Sequence, residues 1–134
     1  MAACGGGETG GSAAPPAVRS DAHVFAGAVA PPATELVNPF AGDSQSASQG
    51  ARIYVDMNCD GCHGGGGVGF VGPSFTDGRW RYGGSDGVVY HSIFYGRPRG
   101  MPAYGGILSP AAIWKVVTYL QSLPVAADMA TEAW

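Results

Sequence analysis

The chain of 134 residues is poor in charge: Asp, Glu, Lys and Arg make up 13% of it, and Lys115 is the single lysine. A formal net charge of −3 argues against nucleic-acid binding and gives no membrane-surface signal. No apolar run approaches the ~20 residues of a transmembrane helix, so the sequence as written is not expected to span a bilayer. There are only three cysteines, Cys4, Cys59 and Cys62, too few for a disulfide framework. What is abundant is Gly (23) and Pro (10), crowded into the first third and into the loops after His63. The length allows one domain with a tail.

Against that background Cys59-Asp60-Gly61-Cys62-His63 is a C-x-x-C-H pentapeptide, the attachment signal of a c-type haem. Two thiols three positions apart on one turn can each bond a vinyl-derived carbon of the same porphyrin. The next residue, His63, then offers its imidazole to the iron, with its other ring nitrogen held by a hydrogen bond. With three Cys and three His in the chain, chance yields this pattern on the order of once in a thousand sequences. Structural zinc is the rival, but it takes four ligands and no second C-x-x-C pair exists; only Cys4, His23 and His91 remain. A thioredoxin-like redox pair would need a βαβ setting, which this glycine-dense stretch does not offer.

Residues 5 to about 33 lack helical or alternating periodicity and include Pro15-Pro16 and Pro31-Pro32. Such a segment reads as a disordered or loosely packed linker, with His23 and Phe25 solvated within it. Leu36 to Phe40 is expected to pack on the domain as an arm. A first helix, capped by Ser44 or Ser46, runs through Tyr54 to the haem motif. Gly50 is costly there unless another backbone comes close. The partner is the last helix, marked by Ser109 as N-cap, Pro110 at its first position and the stripe Ile113, Val116, Val117, Leu120. Tyr119 is placed to cross Gly50 and Tyr54. A short helix between them is capped by Ser85 or Asp86, turns Val89 and Ile93 inward and stops at Gly96. The resulting division is a tether and arm (1–43), a haem domain (44–124) and a tail (125–134).

Phe70 and Val71 can cover a porphyrin face or edge, and a carbonyl near Pro73 can accept the second nitrogen of His63. Candidates for a sixth iron ligand are His91, Met57, Met101 and Met129. Met101 is favoured, because the Gly and Pro residues around it fix an irregular loop able to present a thioether. His91, two positions from Val89 and Ile93 on a helix, should point away from the core. Met57 is too near the attachment cysteines, and Met129 is in the tail. Trp80, Tyr82, Arg97 and Tyr104 are the residues expected on the propionate side.

The stretch from about Ser44 to Leu123 resembles a class I c-type cytochrome, through Gly50 and Tyr54, CDGCH, GPSF, WRYGG, GRPRGMPAYGG and VVTYL. The resemblance implies an all-α fold of about four short helices around one covalently bound haem c, with His63 and Met101 as ligands. It further implies one-electron transfer rather than enzymatic catalysis. The expected partners are a membrane or periplasmic dehydrogenase and a terminal acceptor such as a haem–copper oxidase. The alternatives are a fixed cytochrome subunit of a larger oxidoreductase, or an open-site haem enzyme or gas sensor. Family members often carry a lysine ring, which is lacking here; Arg79, Arg81, Arg97 and Arg99 are expected to pair with propionates or partner carboxylates instead. Phe94 and Tyr95 read either as packing under the arm or as an apolar docking patch. Met1-Ala2-Ala3-Cys4-Gly5 is similar to the end of a bacterial lipoprotein signal. That makes a lipidated Cys4 and a periplasmic, membrane-anchored location the expectation, with a plain exposed thiol as the alternative. No oligomer is indicated.

Overall fold

The structure, a computed structural model, describes residues 35–126. The expected linker with His23 and Phe25, Cys4, Met129 and all but two residues of the tail lie outside the described residues. Four α-helices follow in order: α1 (Ser44–Asp56), α2 (Asp60–His63), α3 (Asp86–Tyr95) and α4 (Pro110–Ser122), with a 3₁₀ turn at Gly65–Gly67. Among the described residues the nearest thing to a strand is one antiparallel bridge between Arg97 and Met101. The all-α expectation holds.

The helix ends follow local chemistry. The side chain of Ser109 accepts the Ala112 N–H, Pro110 occupies the first turn where its missing N–H costs nothing, and α4 ends before Pro124. At α1 the cap is neither Ser44 nor Ser46. Asp43, in extended conformation, accepts the Ser46 N–H at 2.9 Å, which leaves Ser44 as the first helical residue and Ser46 buried. Aspartate fills this role because its carboxylate reaches the orphan donors of the first turn. Ser85 precedes α3 without a side-chain cap, and α3 stops at Gly96, whose φ of 70° suits a residue without Cβ.

Helices α1 and α4 cross at Gly50. A Cβ built there would collide with the Lys115 carbonyl and lie 3.0 Å from Tyr119 Cβ, so the two backbones touch only because this residue is glycine. One turn on, Tyr54 and Tyr119 meet edge to face at 5.4 Å. Tyr54, Ile113 and Val117 are the most completely buried large side chains and form the centre of the core with Val116, Leu120, Val89, Tyr90 and Ile93. The arm packs as expected: Asn38 is buried, its Nδ2 donates to Thr118 Oγ1 at 2.9 Å, and its backbone N–H donates to Asp86 Oδ2 at 2.7 Å.

Phe94 packs at Gly105, where a Cβ would come within 2.7 Å of its ring, and stacks on Tyr90, while Tyr95 meets the His91 and Phe94 rings. One expectation about α3 fails. His91 does not point out; it is only 7% exposed, with Tyr90 and Tyr95 rings 5.9 and 5.6 Å away. The helix buries Gly87, Val89, Tyr90, His91 and Ile93, which is more than one stripe, so a position off the Val89–Ile93 line is still enclosed. Burial, and then the charge of Arg97, hold the His91 pKa below the usual imidazole value. A base depressed on folding contributes stability that is complete above its unfolded pKa of about 6.5 and falls away as pH drops below it. His91→Phe is therefore expected to flatten the fall of Tm between neutral pH and pH ~5. Equal slopes in the two holoproteins would remove His91 as a coupling of folding to pH.

Candidate haem site

The site is built where α1 hands over to α2. Asn58, the one non-glycine residue at positive φ (57°) among the described residues, reverses the chain so that the Cys59 N–H returns to the Tyr54 carbonyl at 2.9 Å. Asparagine tolerates this left-handed region better than most side chains. The short helix α2, with Cys59 as its N-cap residue, then carries Cys59, Cys62 and His63 within about one turn of backbone. Its far end is pinned to α1 by the Tyr54 hydroxyl, which donates to the Gly64 carbonyl at 2.8 Å. Neither cysteine is in a disulfide, and Cys59 is half-buried and Cys62 exposed. Burial and then neighbouring Asp60 push the Cys59 thiol up to about 11.

His63 is held from one side. Its Nδ1 lies 2.9 Å from the Pro73 carbonyl, which can only accept, so Nδ1 carries the proton and donates. This selects the tautomer in which Nε2 presents a lone pair. Burial lowers the His63 pKa, which favours the neutral imidazole that a metal requires. The loop that brings Pro73 into place runs hard against the ring. A Cβ on Gly72 would stand 2.8 Å from both Nδ1 and Cε1, and the Gly72 N–H donates to the Cys62 carbonyl at 2.8 Å. Phe75 packs on the imidazole with ring centroids 4.5 Å apart, and Trp80 stacks behind Phe75 at 5.6 Å. Two thiols, a neutral oriented imidazole and an outer carbonyl fit covalent haem with a histidine ligand. Zinc fits poorly: no group of three or more His, Cys, Asp and Glu able to hold a metal ion occurs among the described residues.

The remaining expected site residues are held by separate contacts. Arg97 and Tyr82 meet, with the guanidinium carbon 4.0 Å from the Tyr82 ring centre. Arg97 is also bridged to Met101, its N–H donating to the Met101 carbonyl at 3.0 Å. Met101 is half-buried and packs on the core. Trp80 stacks on Phe75, behind His63. Burial, and then Cys59 and Cys62, raise the Tyr104 pKa. Phe70 and Val71, expected to cover a porphyrin face or edge, stand 79% and 75% exposed on the loop between His63 and Pro73. Phe75 and the close approach at Gly72 are not among the residues expected from the sequence. The only signal for either was the G-P-S-F run, where Gly72 and Phe75 flank Pro73.

A covalent haem motif on a four-helix fold of this kind defines a c-type cytochrome, the class of one-electron carriers. Residues 45–120 match the model of the family described as cytochrome C oxidase, cbb3-type, subunit III, and the chain belongs to that family. Family membership implies covalently bound haem c. Among curated relatives, the cbb3-type cytochrome c oxidase subunit FixP of Azorhizobium caulinodans is 39% identical over 85 residues, covering 61% of this chain and 29% of the relative. The cbb3-type cytochrome c oxidase subunit CcoP of Azospirillum brasilense is 36% identical over 91 residues, covering 58% and 31%. The chain thus spans about three-tenths of the length of these relatives. Among solved structures, cytochrome cL from Hyphomicrobium denitrificans aligns with a TM-score of 0.62 and 29% identity, over 66% of this chain and 53% of that one. Cytochrome CL from Methylophaga aminisulfidivorans, at 22% identity and a TM-score of 0.60, shares the fold.

Proposed function

We propose that residues 44–124 form a carrier of single electrons with one haem c, attached through Cys59 and Cys62 and ligated by His63 and Met101. The haem supplies the Fe(III)/Fe(II) couple. The observation that carries this reading is the Nδ1–Pro73 hydrogen bond, which fixes the His63 tautomer and leaves Nε2 for iron. Phe75 and Gly72 restrict the rotation of the ring, and Tyr54 holds the end of α2 that bears it. On the other side Met101 is offered by a short loop anchored on α3, and a thioether ligand raises the haem potential by favouring Fe(II). Arg97, Tyr82, Trp80 and Tyr104 serve the propionate side, Arg97 through the guanidinium N–H groups that do not bond Ser92.

Electrons pass, in this reading, from a membrane or periplasmic dehydrogenase to a terminal acceptor such as a haem–copper oxidase. Residues 1–43 act as a tether and arm, lipidated at Cys4, that keep the domain at the periplasmic membrane face. Among the described residues no helix is long and apolar enough to cross a membrane. A second reading is a fixed subunit of a larger oxidoreductase, and the naming of the relatives as oxidase subunits favours it. Tight co-purification with a partner complex would select the fixed subunit over the mobile carrier.

The test of the carrier itself is optical. The purified holoprotein should give a reduced c-type spectrum indifferent to carbon monoxide, and a weak Met–Fe(III) charge-transfer band when oxidised. Ready carbon monoxide binding with no such band would mean an open iron, and the carrier reading would give way to ligand or peroxide chemistry.

A further inference from the structure

The loop that carries Met101 is fastened unevenly. After it, the backbone is tied to the last turn of α3: Tyr104 N–H donates to the Ile93 carbonyl at 2.9 Å and Gly105 N–H to the Phe94 carbonyl at 3.0 Å. Before it, the chain leaves α3 through Gly96 at φ 70° and turns through exposed Pro98, Arg99 and Gly100. At that leading end one side chain reaches back to two other parts of the fold. Arg97 donates from Nε and Nη2 to the Ser92 hydroxyl at 2.9 and 2.7 Å. The same hydroxyl donates to the Val88 carbonyl at 2.7 Å, so its one proton and both lone pairs are engaged. The guanidinium also lies over the Tyr82 ring at 4.0 Å, in cation–π contact. The loop, the last turns of α3 and the segment at Tyr82 therefore meet on one planar cation.

We propose that Arg97 is a positioning residue whose clasp on Ser92 and Tyr82 holds the 97–101 loop in the one placement that keeps the Met101 thioether on the iron. The proposal rests on the His63/Met101 reading given above. Its physical basis is that the Arg97–Met101 bridge and the close approach of the Met101 carbonyl to Gly96 fix the backbone of the pair at the end of α3 but not the angle of the loop about Gly96. A forked, charge-assisted contact fixes both distance and angle, which a lysine at the same place cannot do. Released from the clasp, the loop would pivot at Gly96, and an added ligand could displace the Met101 sulfur more easily.

The experiment is a titration of the oxidised holoprotein with imidazole, which competes with Met101 for the sixth position. Arg97→Ala and Ser92→Ala should each bind imidazole about tenfold more tightly than the parent, consistent with loss of a charge-assisted contact. The double variant should bind no tighter than Arg97→Ala alone, because both remove one clasp. Arg97→Lys should fall between, keeping the ring contact but not the fork. Asn38→Ala, which loosens the arm on α4, should lower Tm and leave imidazole affinity unchanged. Parental affinity in both single variants, with the charge-transfer band at full strength, would overturn the proposal; so would simple additivity in the double variant. Should Arg97→Ala mature poorly, Ser92→Ala and Arg97→Lys carry the same comparison. A parent protein that lacks the band and binds carbon monoxide would overturn the Met101 reading itself, and the clasp with it. The two failures are thereby distinct.

Discussion

Gly50→Ala should lower the Tm of the holoprotein by about 12 to 24 °C, corresponding to roughly 3 kcal/mol for a domain of this size. The added methyl would occupy the space of the Lys115 carbonyl and crowd Tyr119 Cβ. Neither can yield cheaply, because one is helix backbone and the other is the root of a side chain packed against Tyr54. Alanine improves helix propensity by about 1 kcal/mol, which is too little to offset overpacking at a backbone contact. Relief requires α1 and α4 to separate, and this pulls Tyr54 away from both Tyr119 and the Gly64 carbonyl. Gly65→Ala is the control, since nothing lies within 4 Å of a Cβ there. Thermal unfolding followed by circular dichroism reads both. Equal Tm values for the two variants would show that the crossing tolerates a wider spacing.

Gly72→Ala should act on the haem rather than on the fold. Its Cβ would sit 2.8 Å from His63 Nδ1 and Cε1 and 3.2 Å from the Cys62 carbonyl. Either the imidazole turns or the loop retreats, and both lengthen the Nδ1–Pro73 hydrogen bond. Loss of such an outer partner typically costs 10- to 100-fold in metal-site affinity or activity. On the proposed ligation by His63, the fraction of chain matured with covalent haem should drop about tenfold. The haem-to-protein ratio, measured as the pyridine adduct against total polypeptide, checks this. A parental ratio with an unchanged spectrum would mean that the loop absorbs the methyl without disturbing the ring.

The two glycines differ in how readable they were. Gly50 announced itself: a glycine inside a helical stretch is unfavourable, so a close neighbour was the natural inference, and α4 carried a legible apolar stripe to supply one. Gly72 sits in a loop already rich in glycine, where no propensity is violated and nothing singles it out. The Asp43 cap and the burial of His91 were misread for related reasons. Several polar residues near a helix start can all cap it, and an axis-only periodicity argument assumes that a short helix shows one face to the core. In α3 the aromatic residues Tyr90 and Tyr95 enclose what periodicity would leave outside.

What the sequence determined by itself is the chemistry and the local punctuation. The covalent spacing Cys59, Cys62, His63 allows one porphyrin to be gripped by a single turn of chain. Ser109-Pro110 opens α4, and Gly96 closes α3, because capping and positive φ are decided by neighbours in the chain. The tertiary structure decided the rest: which nitrogen of His63 is protonated, that Phe75 packs on it, and that Arg97 joins Ser92 to Tyr82. Each of these depends on atoms ten or more residues apart coming within a few ångströms, as with His63 and Pro73 or Arg97 and Tyr82. Sequence spacing sets which groups a turn or helix can present, whereas the crossing of α1 with α4 and the loops folded against it set which groups meet.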